Sequence, residues 1–279
     1  VQQAEARNAE GRELLVTTTA CEGGGTGLIG TIVNLTDVSA LKAAARAREE
    51  AMGFLSHDLR APQASILSTL ELRRSDPASV SESQLVEHVE RSARRTLALA
   101  EAFVTLTRAD HLDPTRFQPV DLADVCREVA DEVWPLCRTK NMRCDMALGE
   151  EEVWVRGERP LLVAVVLNLL DNAIKYSPAG SRVEVALRRH EAEWQIAISD
   201  EGPGVSAADV PRLFERFRRL GREGRSTTRG AGLGLVIVDT VVRKHEGRIE
   251  VVSTVGHGAT FIVHLPASAA SQDSAIDVC

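Results

Sequence analysis

From residue 39 to about residue 110 the apolar positions repeat at helical spacing. Leu41, Ala45, Arg48, Met52, Leu55, Leu59, Pro62, Ile66 and Thr69 alternate intervals of four and three, a heptad seam imperfect at Arg48 and Pro62. Residues 73–79, Arg-Arg-Ser-Asp-Pro-Ala-Ser, break the pattern. A second seam follows: Leu85, Val89, Ser92, Thr96, Leu99, Phe103 and Leu106. Two long helices with a short connection predict an antiparallel hairpin. One hairpin buries too little surface alone, so the expectation is a homodimer closing a four-helix bundle. Upstream, residues 12–20 and 27–36 are β-rich runs around Glu22-Gly23-Gly24-Gly25, the pattern of a hairpin. Two strands do not make a stable domain, so residues 1–38 read as the tail end of one.

After Asp113-Pro114 the pattern turns mixed. Asp121 is placed to cap a helix running to about Arg138, with Leu122, Val125, Val129, Val133 and Leu136 on one face. Strands are predicted at 143–148, 153–156, 182–189, 193–200, 248–254 and 259–265, and helices at 158–176, 207–217 and 233–246. Elements of both kinds without strict βαβ alternation predict an α+β sandwich. The fold class is therefore α+β multidomain. The expected divisions are 1–38, a helical hairpin over 39–113, a sandwich over 114–266, and a small, polar, disordered tail over 267–279.

Composition narrows the function. Of 279 residues 44% are hydrophobic, enough for real cores. A formal charge of −7 argues against a general nucleic-acid binder. No apolar run approaches the roughly 18 residues of a membrane span. The start, Val1-Gln2-Gln3, carries no signal-peptide pattern, and the sequence reads as a piece of something longer. The five cysteines form no metal spacing and read as free thiols in a reducing cytosol.

Several short stretches carry chemistry. In FLSHDLRAPQ, residues 54–63, His57 falls at heptad position f, facing away from the seam and within reach of another domain. A lone histidine there is ordinarily a solvated surface residue. Asp58 is placed to bond one ring nitrogen and leave the other nucleophilic, and Pro62 removes a helical N–H one turn on. In NLLDNAIKYS, residues 168–177, Asn168, Asn172 and Lys175 share one helix face, with Leu162, Val166, Leu169 and Ala173 on the core side. Carboxamide oxygens suit Mg²⁺ and an ammonium suits phosphate, although an ordinary amphipathic helix explains this segment equally well. DEGPG, residues 200–204, ends a strand on Asp200, a group able to accept from an adenine amine, and then turns on Gly202 and Gly204. GAGLGL, residues 230–235, opens a helix with Gly230, Gly232, Leu233, Gly234 and Leu235, where exposed N–H groups suit phosphate. Between the glycine clusters, residues 205–229 carry seven arginines, the composition of a lid over polyphosphate or of a solvated loop.

Taken in order, these stretches resemble the sensor histidine kinases of two-component systems. FLSHDLRAPQ resembles the H box, NLLDNAIKYS the N box, DEGPG and GAGLGL the two glycine boxes, and LFERF (213–217) the F box. The resemblance covers about residues 40–266. Residues 12–38 resemble the last strands of a PAS domain entering its signal helix, and the wording HDLRAPQ is similar to kinases with an extracytoplasmic CHASE-type sensor.

The resemblance implies a Bergerat-type ATP-binding sandwich, ATP and Mg²⁺ as ligands, and a homodimer. By that resemblance Asn172 coordinates Mg²⁺ with Asn168 assisting. Lys175 reaches phosphate, Tyr176 packs by the nucleotide and Asp200 reads adenine. Gly202, Gly204, Gly230, Gly232 and Gly234, with Leu233 and Leu235 between them, form lid hinges and phosphate contacts. Arg218 or Arg219 reaches the γ-phosphate. His57 takes the phosphoryl group, with Asp58 orienting the ring or taking its proton, and a response regulator aspartate receives it. The implied location is cytoplasmic, in a longer, membrane-anchored sensor. Asn168 stands where gyrase- and Hsp90-type ATPases place a water-activating glutamate, which implies slow hydrolysis. Ala61 departs from the Thr or Asn of many relatives, which implies weak phosphatase activity. An ATP-holding scaffold and a serine kinase of the anti-sigma type are the competing readings.

Overall fold

The computed structural model describes residues 1–22, 28–215 and 232–268, with side-chain surroundings given outside 21–22, 28–29, 44–52 and 54–57. It divides into two units, Val1–Ser65 and Ile66–Cys279.

The first unit opens with three strands, not the expected pair: β1 (Gln2–Arg7), β2 (Glu13–Glu22) and β3 (Leu28–Asp37), in antiparallel order β1-β2-β3. β1 escapes sequence reading because Gln-Gln-Ala-Glu-Ala-Arg has no apolar alternation, and all six residues are exposed. The sheet runs directly into α1 (Ser39–Ser75): Ser39 N–H donates to Asp37 Oδ1 at 2.9 Å, and Ser39 Oγ accepts from the Glu13 amide at 2.8 Å.

α1 continues through Pro62, which is buried; Leu59, Ile66 and Thr69, also on the predicted seam, are half-buried. α2 (Glu82–Asp110) starts on a capping box, in which Ser81 Oγ accepts from the Gln84 amide at 3.2 Å and Gln84 Oε1 accepts from the Ser81 amide at 3.0 Å. Its seam residues Ser92, Leu99 and Leu106 are buried.

The rest of the second unit is a two-layer sandwich, as the sequence predicts. Its elements are β4 (Gln118–Asp121), α3 (Leu122–Thr139), β5 (Arg143–Ala147), β6 (Trp154–Gly157), α4 (Arg159–Tyr176), β7 (Arg182–His190), β8 (Glu193–Asp200), α5 (Gly234–Lys244), β9 (Arg248–Ser253) and β10 (Ala259–Pro266). Five strands form the sheet β5-β7-β8-β10-β9, with only β5–β7 parallel; β4 and β6 form a separate pair. Alternate residues of β7, β8 and β10 (Val183, Val185, Ile196, Ile198, Phe261, Val263) face a core shared with α3, α4 and α5. Leu106 and Ala109 of α2 join it.

Three expectations need correction. The helix predicted at 207–217 is absent over its described part, 207–215, where Val210–Phe214 is a short 3₁₀ turn with Pro211 in its first turn; residue 216 onward lies outside the described residues. Leu136 is 42% exposed; in the last turn of α3 the buried position is Cys137, beside Cys144 of β5. The sandwich extends past 266, because the Ala267 amide donates to Ala192 O and the Ser268 amide to Trp154 O. Residues 269–279 lie outside the described residues.

One buried ionisable group sits at the base of this unit. His245 stacks on Phe117 with ring centroids 4.5 Å apart, and it fills the space over Gly157 that a Cβ would occupy. Its Nδ1–H donates to Val241 O at 2.8 Å and its Nε2 accepts from the Glu158 amide at 3.1 Å, so the ring is held neutral. Burial lowers its pKa against the opposing hydrogen bond to Val241. A histidine that resists protonation in the fold stabilises fully above its unfolded pKa, and that stability drains as pH falls through about 6.5. Urea denaturation between pH 7.5 and 5.5 should show an excess slope approaching about 1.4 kcal/mol per pH unit that His245→Gln removes. An unchanged slope in the variant would refute the assignment.

Candidate functional site

The predicted face of α4 forms as expected. Leu162, Val166, Leu169 and Ala173 are buried, and Asn168, Asn172 and Lys175 lie half-buried along the opposite side. Asn168 Nδ2 donates to Ala164 O at 2.7 Å, which fixes the carboxamide and leaves Oδ1 pointing away from its own helix. A Cβ added to Gly234 would lie 2.6 Å from that oxygen. The first residue of α5 therefore packs directly on Asn168, and only glycine permits this approach without displacing it. Among the described residues no hydrogen bond engages the Asn172 carboxamide. Lys175 Nζ stands 5.1 Å from the ring centroid of Tyr176, which is 47% exposed.

The C-terminal end of α4 meets the first glycine cluster. A Cβ on Gly202 would lie 2.7 Å from Asp200 Oδ1 and 3.4 Å from Tyr176 O. Asp200 Oδ1 accepts from the Gly202 amide at 2.7 Å. Burial raises the Asp200 pKa against hydrogen bonds from the Gly202 and Ala259 amides. Burial and a raised pKa at the end of a strand keep Asp200 a candidate for ligand contact.

Gly204 has φ +68°, and a Cβ there would lie 2.2 Å from Thr254 O. The turn after β9 clamps this loop: Gly256 N–H donates to Pro203 O at 2.7 Å, and Val205 N–H to Ser253 Oγ at 2.8 Å. Sequence reading missed that turn. Its Gly258 has φ +83°, and a Cβ would come within 1.9 Å of Asp200 O. Two glycines in Gly256-His257-Gly258 between predicted strands were the available signal. Gly258→Ala should cost at least about 2 kcal/mol in urea unfolding, and a loss under about 0.5 kcal/mol would contradict this packing.

Other candidates fall differently. Gly232 is described, with φ +70°. Leu233 is 3% exposed and Leu235 packs against the core, so their side chains serve packing and only their backbone N–H groups remain for a ligand. Among the described residues no side chain caps the N-terminus of α5. Arg218, Arg219, Gly230 and the rest of 216–231 lie outside the described residues. His57 lies on α1 in the first unit, with its side chain outside the described residues; Asp58 is half-buried and Ala61 exposed. A cavity of about 720 Å³ beside α2, lined by Phe103, Arg108, His111 and Glu158 among others, includes none of the predicted residues.

This geometry matches a known class. Residues 157–269 match the family of histidine kinase-, DNA gyrase B- and HSP90-like ATPases and form an ATP-binding domain of that kind. The sensor protein CutS of Streptomyces coelicolor is 36% identical over 228 residues, 81% of this chain and 54% of CutS. The sensor histidine kinase RppB of Synechocystis is 33% identical over 214 residues, 76% of this chain and 47% of RppB. The histidine kinase ThkA, solved in complex with the response regulator protein TrrA, shares the fold at 18% identity, with a TM-score of 0.62 over 95% of this chain and 78% of that one. The chain belongs to the sensor histidine kinases. It spans about half the length of the curated relatives it matches.

Proposed function

We propose that this chain is the transmitter portion of a sensor histidine kinase, which phosphorylates His57 with ATP and passes the phosphoryl group to an aspartate of a response regulator. One observation carries the reading: motifs far apart in sequence meet at α4, with Gly234 against Asn168 and Gly202 against both Tyr176 and Asp200. In this reading Asp200 accepts from the adenine amine. Lys175 and the N-terminal amides of α5 face the phosphates. Asn172 and Asn168 offer hard oxygen donors that suit Mg²⁺, which when bound supplies positive charge to the phosphates. His57 attacks the γ-phosphorus in line, ADP leaves, and the ring proton passes to Asp58 or solvent. Arg218 or Arg219 completes the charge compensation.

The proposed partition keeps residues 1–38 as the end of a PAS-like sensor, 39–113 as the dimerisation and phosphotransfer hairpin, and the sandwich after it. Support for a homodimer comes from α2. Val86, Leu97 and Val104 are 58%, 62% and 64% exposed, on a stripe about 100° round the helix from the seam. A helix in a four-helix bundle buries two such stripes. A kinase that draws on ATP suits a cytoplasmic location, and the reading extends to the cytoplasmic part of a membrane-anchored sensor.

Incubation with γ-labelled ATP and Mg²⁺ tests the proposal. The expected result is a protein-bound label stable in alkali and lost in acid. A protein that binds ATP and stays unlabelled is an ATP-holding scaffold instead. Ala61 leads to a second expectation: weak dephosphorylation of the partner regulator, rising on the order of tenfold in Ala61→Thr. Rapid dephosphorylation by the unaltered chain would count against that role.

A further inference from the structure

Lys140 was not singled out by any motif, yet it closes the end of the helix that carries the nucleotide residues. It is the C-cap of α3 and is half-buried. Its Nζ donates to Ile174 O at 2.7 Å, Lys175 O at 3.1 Å and Ser177 O at 3.1 Å, so all three ammonium protons are used. The last carbonyls of a helix need partners from outside the helical ladder. The usual closure takes them from the N–H groups of the residues just past the cap. Here the residue after the Ser177 cap is Pro178, which has no N–H. Lys140 supplies the missing donors. The clamp is reciprocal, because Gly180 N–H donates to Lys140 O at 3.0 Å.

That last turn holds Lys175 and Tyr176, and Tyr176 O abuts Gly202 beside Asp200. We propose that Lys140 is a positioning residue for the nucleoside triphosphate, fixing the last turn of α4 so that Lys175, Tyr176 and Gly202 keep their mutual placement. The inference rests on the reading of α4 as part of the ATP site.

Tyr176 is the chain's single tyrosine, so 3-fluorotyrosine labelling gives one ¹⁹F resonance that reports this turn with or without nucleotide. The test compares the unaltered chain with Lys140→Met and Lys140→Arg by ¹⁹F spectra and by ATP titration well below the melting temperature. The expected result is a shifted or broadened Tyr176 signal and on the order of tenfold weaker ATP binding in Lys140→Met. Lys140→Arg, which keeps a cationic donor, should restore both. If Lys140→Met does not fold, Lys140→Gln takes its place, with a smaller change in the same direction. ATP affinity within twofold of the unaltered chain in the Met or Gln variant overturns the inference, whether or not the resonance moves. An unaltered chain that binds no ATP at all overturns instead the nucleotide reading, and this inference with it.

Discussion

His57→Gln is expected to abolish the acid-labile label from γ-labelled ATP while leaving ATP affinity within about twofold. The two readouts separate because the residues involved are separate. His57 lies on α1 in the first unit, and the ATP-binding domain occupies residues 157–269. Removing the imidazole removes the proposed nucleophile, for which glutamine offers no substitute. The chain has seven histidines, and two are poor acceptors on structural grounds. His245 has both ring nitrogens engaged and is 3% exposed, and His264 is also 3% exposed. Label persisting in His57→Gln would therefore point to His88, His111, His190 or His257, or to a hydroxyl acceptor, and would remove His57 from the mechanism. Loss of label together with loss of ATP binding would indicate a damaged fold.

Asp200→Asn is expected to weaken ATP binding by roughly tenfold to a hundredfold while leaving unfolding stability unchanged or slightly raised. A lost charge-assisted hydrogen bond is worth about 1.5–3 kcal/mol, which sets that range. The stability half follows from burial. Asp200 is held in surroundings that raise its pKa, so ionised Asp200 costs the empty fold something at neutral pH. Asparagine keeps the size and an oxygen for the Gly202 amide, and carries no charge to desolvate. The sign of the titration agrees: a raised folded pKa means that protonation favours the fold as pH drops through it, while the acceptor proposed for the adenine amine is lost. Calorimetric titration with ATP and urea unfolding of the same variant check both halves. A variant that binds ATP normally, or one that loses binding only because it unfolds, would contradict the role given to Asp200.

The legible parts of this molecule were those written in period or in glycine. Leu162, Val166, Leu169 and Ala173 announced the buried face of α4, and alternation in 182–189 and 193–200 announced two central strands. The glycines at 202, 204 and 234 mark a turn and a helix start in the sequence, and the fold adds that a Cβ at each would collide with Asp200, Thr254 or Asn168. What was missed depends on tertiary context. β4 has four residues and includes Pro119, too short for a pattern. Gly258 matters because Asp200, distant in sequence, lies against it. Lys140 reads as one more surface lysine until Pro178 leaves the α4 carbonyls in need of a donor.

The most direct measurement of the central claim is site mapping of the phosphoryl group after incubation with ATP, by alkaline digestion and mass spectrometry under conditions that preserve phosphohistidine. The account predicts one phosphorylated residue, His57, in the peptide containing FLSHDLRAPQ. Phosphate on serine or threonine, on another histidine, or nowhere in a chain that binds ATP would contradict it.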